Sequence, residues 1–193
     1  PGQRSLPAIP RIVMVKQEAP PVRGRSSSRA DERDSVDPAP AGHHDPMRSL
    51  DGLRVLEVAE MVGGPHASKL LADLGAEVIK VEPPGGDRAR SVGPFPADGE
   101  GDRERSGLFL GLNTNKRSIV IDLESTEGRE RLAGLVADAD LVIHDLTPTR
   151  AATVGLDADV LLGQRPELVV LSITPYGSTG PHAEWAGTEL TVV

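Results

Sequence analysis

Short apolar runs alternate along the chain with segments in which apolar residues recur every three or four positions, and the alternation begins near Leu50. Leu53, Val55, Leu56 and Val58 form a run of the length of a buried strand, which Val62-Gly63-Gly64-Pro65 interrupts. A helix is predicted next. Pro65 suits a first helical turn, where its missing N–H costs nothing, and Ala67, Leu70, Leu71 and Leu74 repeat at helical spacing until Gly75. Val78, Ile79 and Val81 make the following strand. Two strands joined by a crossover helix pair in parallel with a right-handed connection, which places the ligand side of the unit at the turn from Met61 to Pro65.

The stretch Pro83 to Gly107 is polar and rich in Gly, Pro, Asp and Arg, so it reads as a long functional or mobile loop. Leu108-Phe109-Leu110 leads from it into Asn113-Thr114-Asn115-Lys116-Arg117-Ser118, and Ile119, Val120, Ile121 and Leu123 make a third strand. Ser125-Thr126-Glu127-Gly128 opens a helix with Leu132, Leu135 and Val136 inward and Glu127, Arg129, Glu130 and Arg131 outward. A fourth strand at Leu141 to Ile143, a turn at Thr147-Pro148, a short helix around Val160 to Leu162 and a fifth strand at Leu168 to Ile173 complete the series. The loop from Thr174 to Pro181 then lies at the C-terminal edge of that strand, and Thr188 to Val193 begins another helix. The prediction is an α/β fold: a Rossmann-like, mostly parallel sheet with helices on both faces.

Composition narrows the chemistry. With two Phe, one Tyr and one Trp in 193 residues, Leu, Val and Ile must fill the core, as a parallel sheet covered on both faces requires. Acidic side chains outnumber basic ones 29 to 21, which disfavours a nucleic-acid or anionic-membrane surface. Without cysteine there is no disulfide framework, thiolate zinc site or cysteine nucleophile. No apolar run approaches the roughly 20 residues of a membrane span, and a cytoplasmic location is expected. Residues 1–46 hold eight of the 17 prolines, the run Ser26-Ser27-Ser28 and mixed charge without apolar period. They read as a disordered tail ahead of a domain over 47–193, Met47 standing at the junction.

Several residues could carry chemistry. The Val62-Gly63-Gly64-Pro65 turn lets backbone approach a ligand and aims helix N–H groups at an anion or carbonyl oxygen, or is simply a tight turn. Glu82, ending the second strand, stands where a dinucleotide fold holds ribose, but the glycines do not match G-x-G-x-x-G. Lys116 and Arg117 offer cationic donors for phosphate, or are a solvated surface pair. His66, His144 and His182 lack the spacing of a metal site, and no metal is expected.

Together, LDGLRVLEVAEMVGGPHASKLLADLGAEVIKVEPPGGDRAR, LNTNKRSIVIDLESTEGRERLAGLVADADLVIHDLTP and PELVVLSITPYGSTGP resemble the N-terminal part of the family III CoA-transferases, the CaiB/BaiF group, over Leu50 to Val193. The resemblance implies the first half of a Rossmann-like large domain, hence an incomplete domain, from an enzyme whose two chains interlock as a homodimer. It implies transfer of CoA between an acyl-CoA and a carboxylic acid through an aspartyl-CoA intermediate, with no permanently bound cofactor. The aspartate nucleophile would lie beyond Val193, so no catalytic residue is expected here and this piece alone should be inactive. CoA contacts carry over to Val62 and Gly63, to Asn113, Thr114, Asn115, Lys116 and Arg117, to Asp145 and Leu146, and to the segment from Ala186 to Glu189, with Lys116 foremost.

Departures from the family pattern accompany that carry-over. Val62 stands where transferases often have Gln, Asp145 where they have Asn, Thr153 where they have Arg, and Ala186 where some have Lys. Each change removes a polar or cationic contact, and Asp145 adds negative charge beside a polyanion. A non-catalytic homologue acting as scaffold or subunit is the alternative that these losses motivate. The related α-methylacyl-CoA racemases carry a catalytic His where this chain has Thr188, which cannot take a proton from carbon at neutral pH. A nucleotide-binding domain using Glu82 is a further rival.

Overall fold

The computed structural model describes residues 49–99 and 101–187, together with the backbone of Val13–Met14. The expected tail over 1–46, that short stretch apart, and the expected helix start at Thr188 lie outside the described residues.

Five strands form one parallel sheet: β1 Arg54–Val58, β2 Glu77–Glu82, β3 Arg117–Val120, β4 Leu141–His144 and β5 Val169–Ser172. Their spatial order is β3-β2-β1-β4-β5, and the two-residue strand Val13–Met14 pairs antiparallel with β3 at one edge. The registers run Leu56 to Ile79, Val81 to Ile119, Leu56 to Val142 and Ile143 to Leu171. The chain proceeds outward from β1 to β3, then returns past β1 to β4, so β1 and β4 flank the point where the winding reverses.

Helix α1, Gly63–Asp73, covers one face, over Val55, Ala76, Val78 and Ile143. Helix α3, Thr126–Asp138, covers the other, where Leu132 and Val136 pack on Leu56, Val58, Val81, Ile119 and Val142. The Ser125 hydroxyl accepts the Gly128 N–H at 2.9 Å and sets the start of α3 where Ser-Thr-Glu-Gly predicts it.

Two helices escape the sequence pattern. Gly107–Leu112 is α2, started by the Ser106 hydroxyl accepting the Phe109 N–H, and Pro148–Val154 is α4 rather than a turn. Gly107–Leu112 reads as a nearly continuous apolar run, and Pro148–Val154 has only Ala151, Ala152 and Val154 to mark an inner face. The predicted helix near Val160 is α5, Ala158–Gln164.

The inward face of α1 also differs from expectation. Gly64, Pro65, Ser68 and Ala72 are buried, whereas Leu70 and Leu74 are exposed. Small residues at four-residue intervals bring the helix close to the sheet: a Cβ on Gly64 would stand 2.2 Å from that of Ala59. Gly64 therefore serves helix–strand packing rather than a ligand.

Candidate functional site

Beneath α1 the sheet carries charge instead of hydrocarbon. Glu57 on β1 is fully buried, and its carboxylate accepts Lys80 Nζ at 2.7 Å, Lys116 Nζ at 2.8 Å and the Ser68 hydroxyl at 2.6 Å. Lys80 also donates to the Ala59 carbonyl and lies 2.8 Å from Asp87 Oδ2, a contact of charge rather than of an aligned hydrogen bond. Two carboxylates and two ammonium groups thus offset one another inside the fold. Burial pulls both lysines down. For Lys80 the Glu57 and Asp87 charges outweigh it and the pKa is raised, whereas Lys116 falls to about 8.

A second buried group anchors the long loop. Glu82 accepts both arms of the Arg90 guanidinium at 2.6 and 2.9 Å, together with the Asp87 N–H and the Ser118 hydroxyl. Burial would raise its pKa, but these donors hold it down at about 2. Arg90 also lies over the Phe109 ring, 3.7 Å from its centroid. The described residues of the stretch 83–107 consequently form a strap with short 3-10 turns at Arg88–Ser91 and Arg103–Arg105. Glu82 holds a guanidinium, which leaves no free carboxylate for ribose.

The loop after β1 is gripped by carboxylates from two other strands. The Glu60 N–H donates to Asp145 Oδ2 at 2.9 Å, and the Met61 N–H to Asp87 Oδ1 at 3.1 Å, with Met61 at φ 65°. Asp145 follows β4 and Asp87 follows β2, so the loops of three neighbouring strands are tied at their C-terminal ends. Between them lies a cleft of about 590 Å³. Ala59, Glu60, Pro83, Arg88, Asp122, Glu124, Asp145, Leu146 and Arg150 are among its walls. Burial raises the pKa of Asp145, and the nearby Glu60 charge adds to that effect. This is the carboxyl-end crevice at a switch point, where open α/β sheets take ligands.

The structure divides the predicted contact residues. Asp145 and Leu146 line the cleft. Val62 and Gly63 stand just past its wall at Glu60 and are exposed. Asn113 and Lys116 are buried under α1, where Lys116 Nζ donates to Glu57, the Pro65 carbonyl and Asn113 Oδ1. All three of its N–H groups are engaged, so the expected ammonium–phosphate contact has no free donor.

Asn115 donates to Asp73 at the end of α1, and Arg117 pairs with Glu77 at the start of β2. Both side chains sit at the opposite edge of the sheet, and none of Asn113, Thr114, Asn115, Lys116 and Arg117 lines the cleft. The physical reason is position: the motif precedes β3, whereas the residues that follow it, Ile121 to Glu124, reach the crevice. Sequence reasoning missed those four, with Arg88 and Arg150. Applying the carboxyl-end rule to the third strand points to them. Glu189 lies outside the described residues.

The histidines stand apart. His66 is exposed, and His182 lies against Trp185 with centroids 4.1 Å apart and the rings tilted by 48°. Buried His144 accepts the Leu146 N–H at Nδ1 and so carries its proton on Nε2, 2.8 Å from Ser172 Oγ, which burial keeps neutral. That tautomer cannot deprotonate Ser172. Among the described residues no three acidic or histidine side chains gather to hold a metal ion.

A parallel sheet of this order with a crevice at its winding reversal defines a Rossmann-like α/β domain. Comparison with known proteins then gives its kind: the sequence model of CoA-transferase family III matches residues 50–193, and the chain belongs to that family. It is 43% identical over 145 residues to succinate–glutarate CoA-transferase of Agrobacterium fabrum, covering 74% of this chain and 36% of that protein. To mouse succinyl-CoA:glutarate CoA-transferase it is 38% identical over 149 residues, covering 77% and 33%.

Solved structures agree. The crystal structure of a CAIB/BAIF family protein from Brucella suis superposes with TM-score 0.66 at 43% identity, covering 74% of this chain and 38% of that one. The Mycobacterium tuberculosis protein Rv3272 gives 0.67 at 36% identity, covering 76% and 40%. The chain spans about a third of the length of the curated relatives it matches.

Proposed function

We propose that the cleft between the loops after β1, β2, β3 and β4 holds the nucleotide end of coenzyme A. The whole protein would move CoA between an acyl-CoA and a carboxylic acid, by way of an aspartyl-CoA intermediate. The observation that carries this reading is the crevice itself, at the winding reversal of a family III chain and joined by the Asp145 and Asp87 contacts to the loop after β1. Relatives named for succinyl-CoA and glutarate favour dicarboxylic acids as the acyl partners. Attack by a carboxylate on a thioester divides acyl transfer into two steps of lower barrier, each exchanging carboxylate and thiolate. Within this chain the work is binding: Leu146 and the neighbouring apolar wall take the base or pantetheine arm, and the arginines take phosphate.

Titration calorimetry with CoA, together with thermal shift at millimolar CoA, tests the assignment. Saturable binding and a rise in melting temperature are expected. No stabilisation and no heat would overturn it. Among the described residues, four carboxylates in the cleft against two arginines favour a second reading, a homologue that keeps the fold as a scaffold with weakened CoA affinity. CoA exchange between succinyl-CoA and glutarate by the whole protein separates the two, since a scaffold gives none.

A further inference from the structure

Among the described residues the cleft has two cations on separate walls, and each is held by a carboxylate. Arg88, in the 3-10 turn after β2, donates from Nε to Glu60 at 2.5 Å. Arg150, on α4 after β4, reaches across to Glu124 after β3 with both terminal nitrogens, Nη1 at 3.4 Å and Nη2 closer. The two pairs differ in how easily they open. The Glu60 side chain is one-quarter exposed, and its own N–H is fixed to Asp145, whereas the Glu124 side chain is 75% exposed. Glu124 can therefore swing into water with full solvation of its charge. An ion pair with one freely solvated partner contributes little to stability, so a bidentate phosphate competes well for the guanidinium.

We propose that Arg150 is the phosphate-recognition residue of this cleft and that Glu124 is its resting latch, displaced when a phosphate-bearing ligand enters, with Arg88 as the second cation on the facing wall. The proposal rests on the CoA reading for the identity of the ligand but not for its phosphate chemistry. Arg150 meets the ligand directly. Glu124 acts only through Arg150, and its removal strengthens binding where loss of Arg150 weakens it.

Calorimetric titration with CoA, inorganic pyrophosphate and pantetheine, on the wild type and on Arg150→Gln, Glu124→Gln and Glu130→Gln, tests this. Glu130 is an exposed acid on α3 outside the cleft and controls for net charge. Arg150→Gln should weaken CoA and pyrophosphate by roughly 10- to 100-fold and leave pantetheine unchanged. Glu124→Gln should tighten both phosphate ligands by about two- to fivefold, more than Glu130→Gln does. Equal effects of the two glutamate variants, or weakening by Glu124→Gln, would overturn the latch. Loss of pantetheine binding in Arg150→Gln would overturn the phosphate role. If wild type binds pyrophosphate with this pattern but not CoA, the CoA reading falls and the clasp stands; if CoA binds and the variants are silent, the reverse holds.

Discussion

Three acidic side chains show how residue environment governs this protein. Glu82 has a folded pKa of about 2 against an ordinary 4.5. Its folded value is the lower, so the stability it contributes is complete above pH 4.5 and is lost as pH falls toward 2, about 3 kcal/mol in all. Denaturant titrations between pH 6 and 2 should show this slope in the wild type and a flatter one in Glu82→Gln. Glu57 is the counter-charge for two lysines at once. Glu57→Gln leaves Lys116 without a carboxylate, and a loss of about 3–5 kcal/mol in urea unfolding is expected. Asp145 is raised by burial, and its charge faces the proposed phosphate site. Lowering pH from 7 toward its raised pKa neutralises it, so CoA affinity should rise; Asp145→Asn should bind CoA more tightly and flatten that dependence in calorimetry. Glu57, Lys80 and Glu82 sit among apolar strand residues, where an apolar-versus-polar pattern gives no sign that charges pair beneath a helix.

At the scale of elements, α1 is where expectation and structure part. The leucines at helical spacing, Leu70 and Leu74, turned out to face solvent, and the buried stripe is Gly64, Ser68 and Ala72. The charges under the helix explain this: Ser68 and the Pro65 carbonyl must reach Glu57 and Lys116, which only a closely seated helix with small inner residues permits. Gly64→Ala should therefore cost about 1–3 kcal/mol through overpacking against Ala59. Gly134, within α3 and with nothing near the position of a Cβ, is the opposite case. Gly134→Ala should stabilise by about 0.5–1 kcal/mol, and paired urea melts of the two variants check both signs. The strands and α3 were legible because apolar runs and the Ser125 cap are local signals. The helices α2 and α4 were not, since α2 reads as a continuous apolar run and α4 has only Ala151, Ala152 and Val154 to mark an inner face.

For the whole molecule, the carboxyl-end crevice is an outcome of winding order, and so is an exposed edge. Among the described residues β5 pairs only with β4, and its Val169 and Leu171 are 58% and 40% exposed. An uncovered apolar edge strand templates association, so sedimentation of the 193-residue chain should show concentration-dependent self-association that Leu171→Lys reduces. No helix of the described residues is long and apolar enough to cross a membrane. By itself the sequence determined the strands, the long helices, the parallel α/β class and the family, because each is written in runs, caps and ordered motifs that neighbours in the chain specify. Only the tertiary structure decided that Lys116 faces inward to Glu57, that Asn115 and Arg117 belong to the far edge, and that Ile121 to Glu124 join Asp145 and Arg150 around one crevice. Those relations depend on which strands lie side by side and on which end of each strand a residue occupies, and residues 20 to 90 positions apart acquire that proximity only when the sheet is wound.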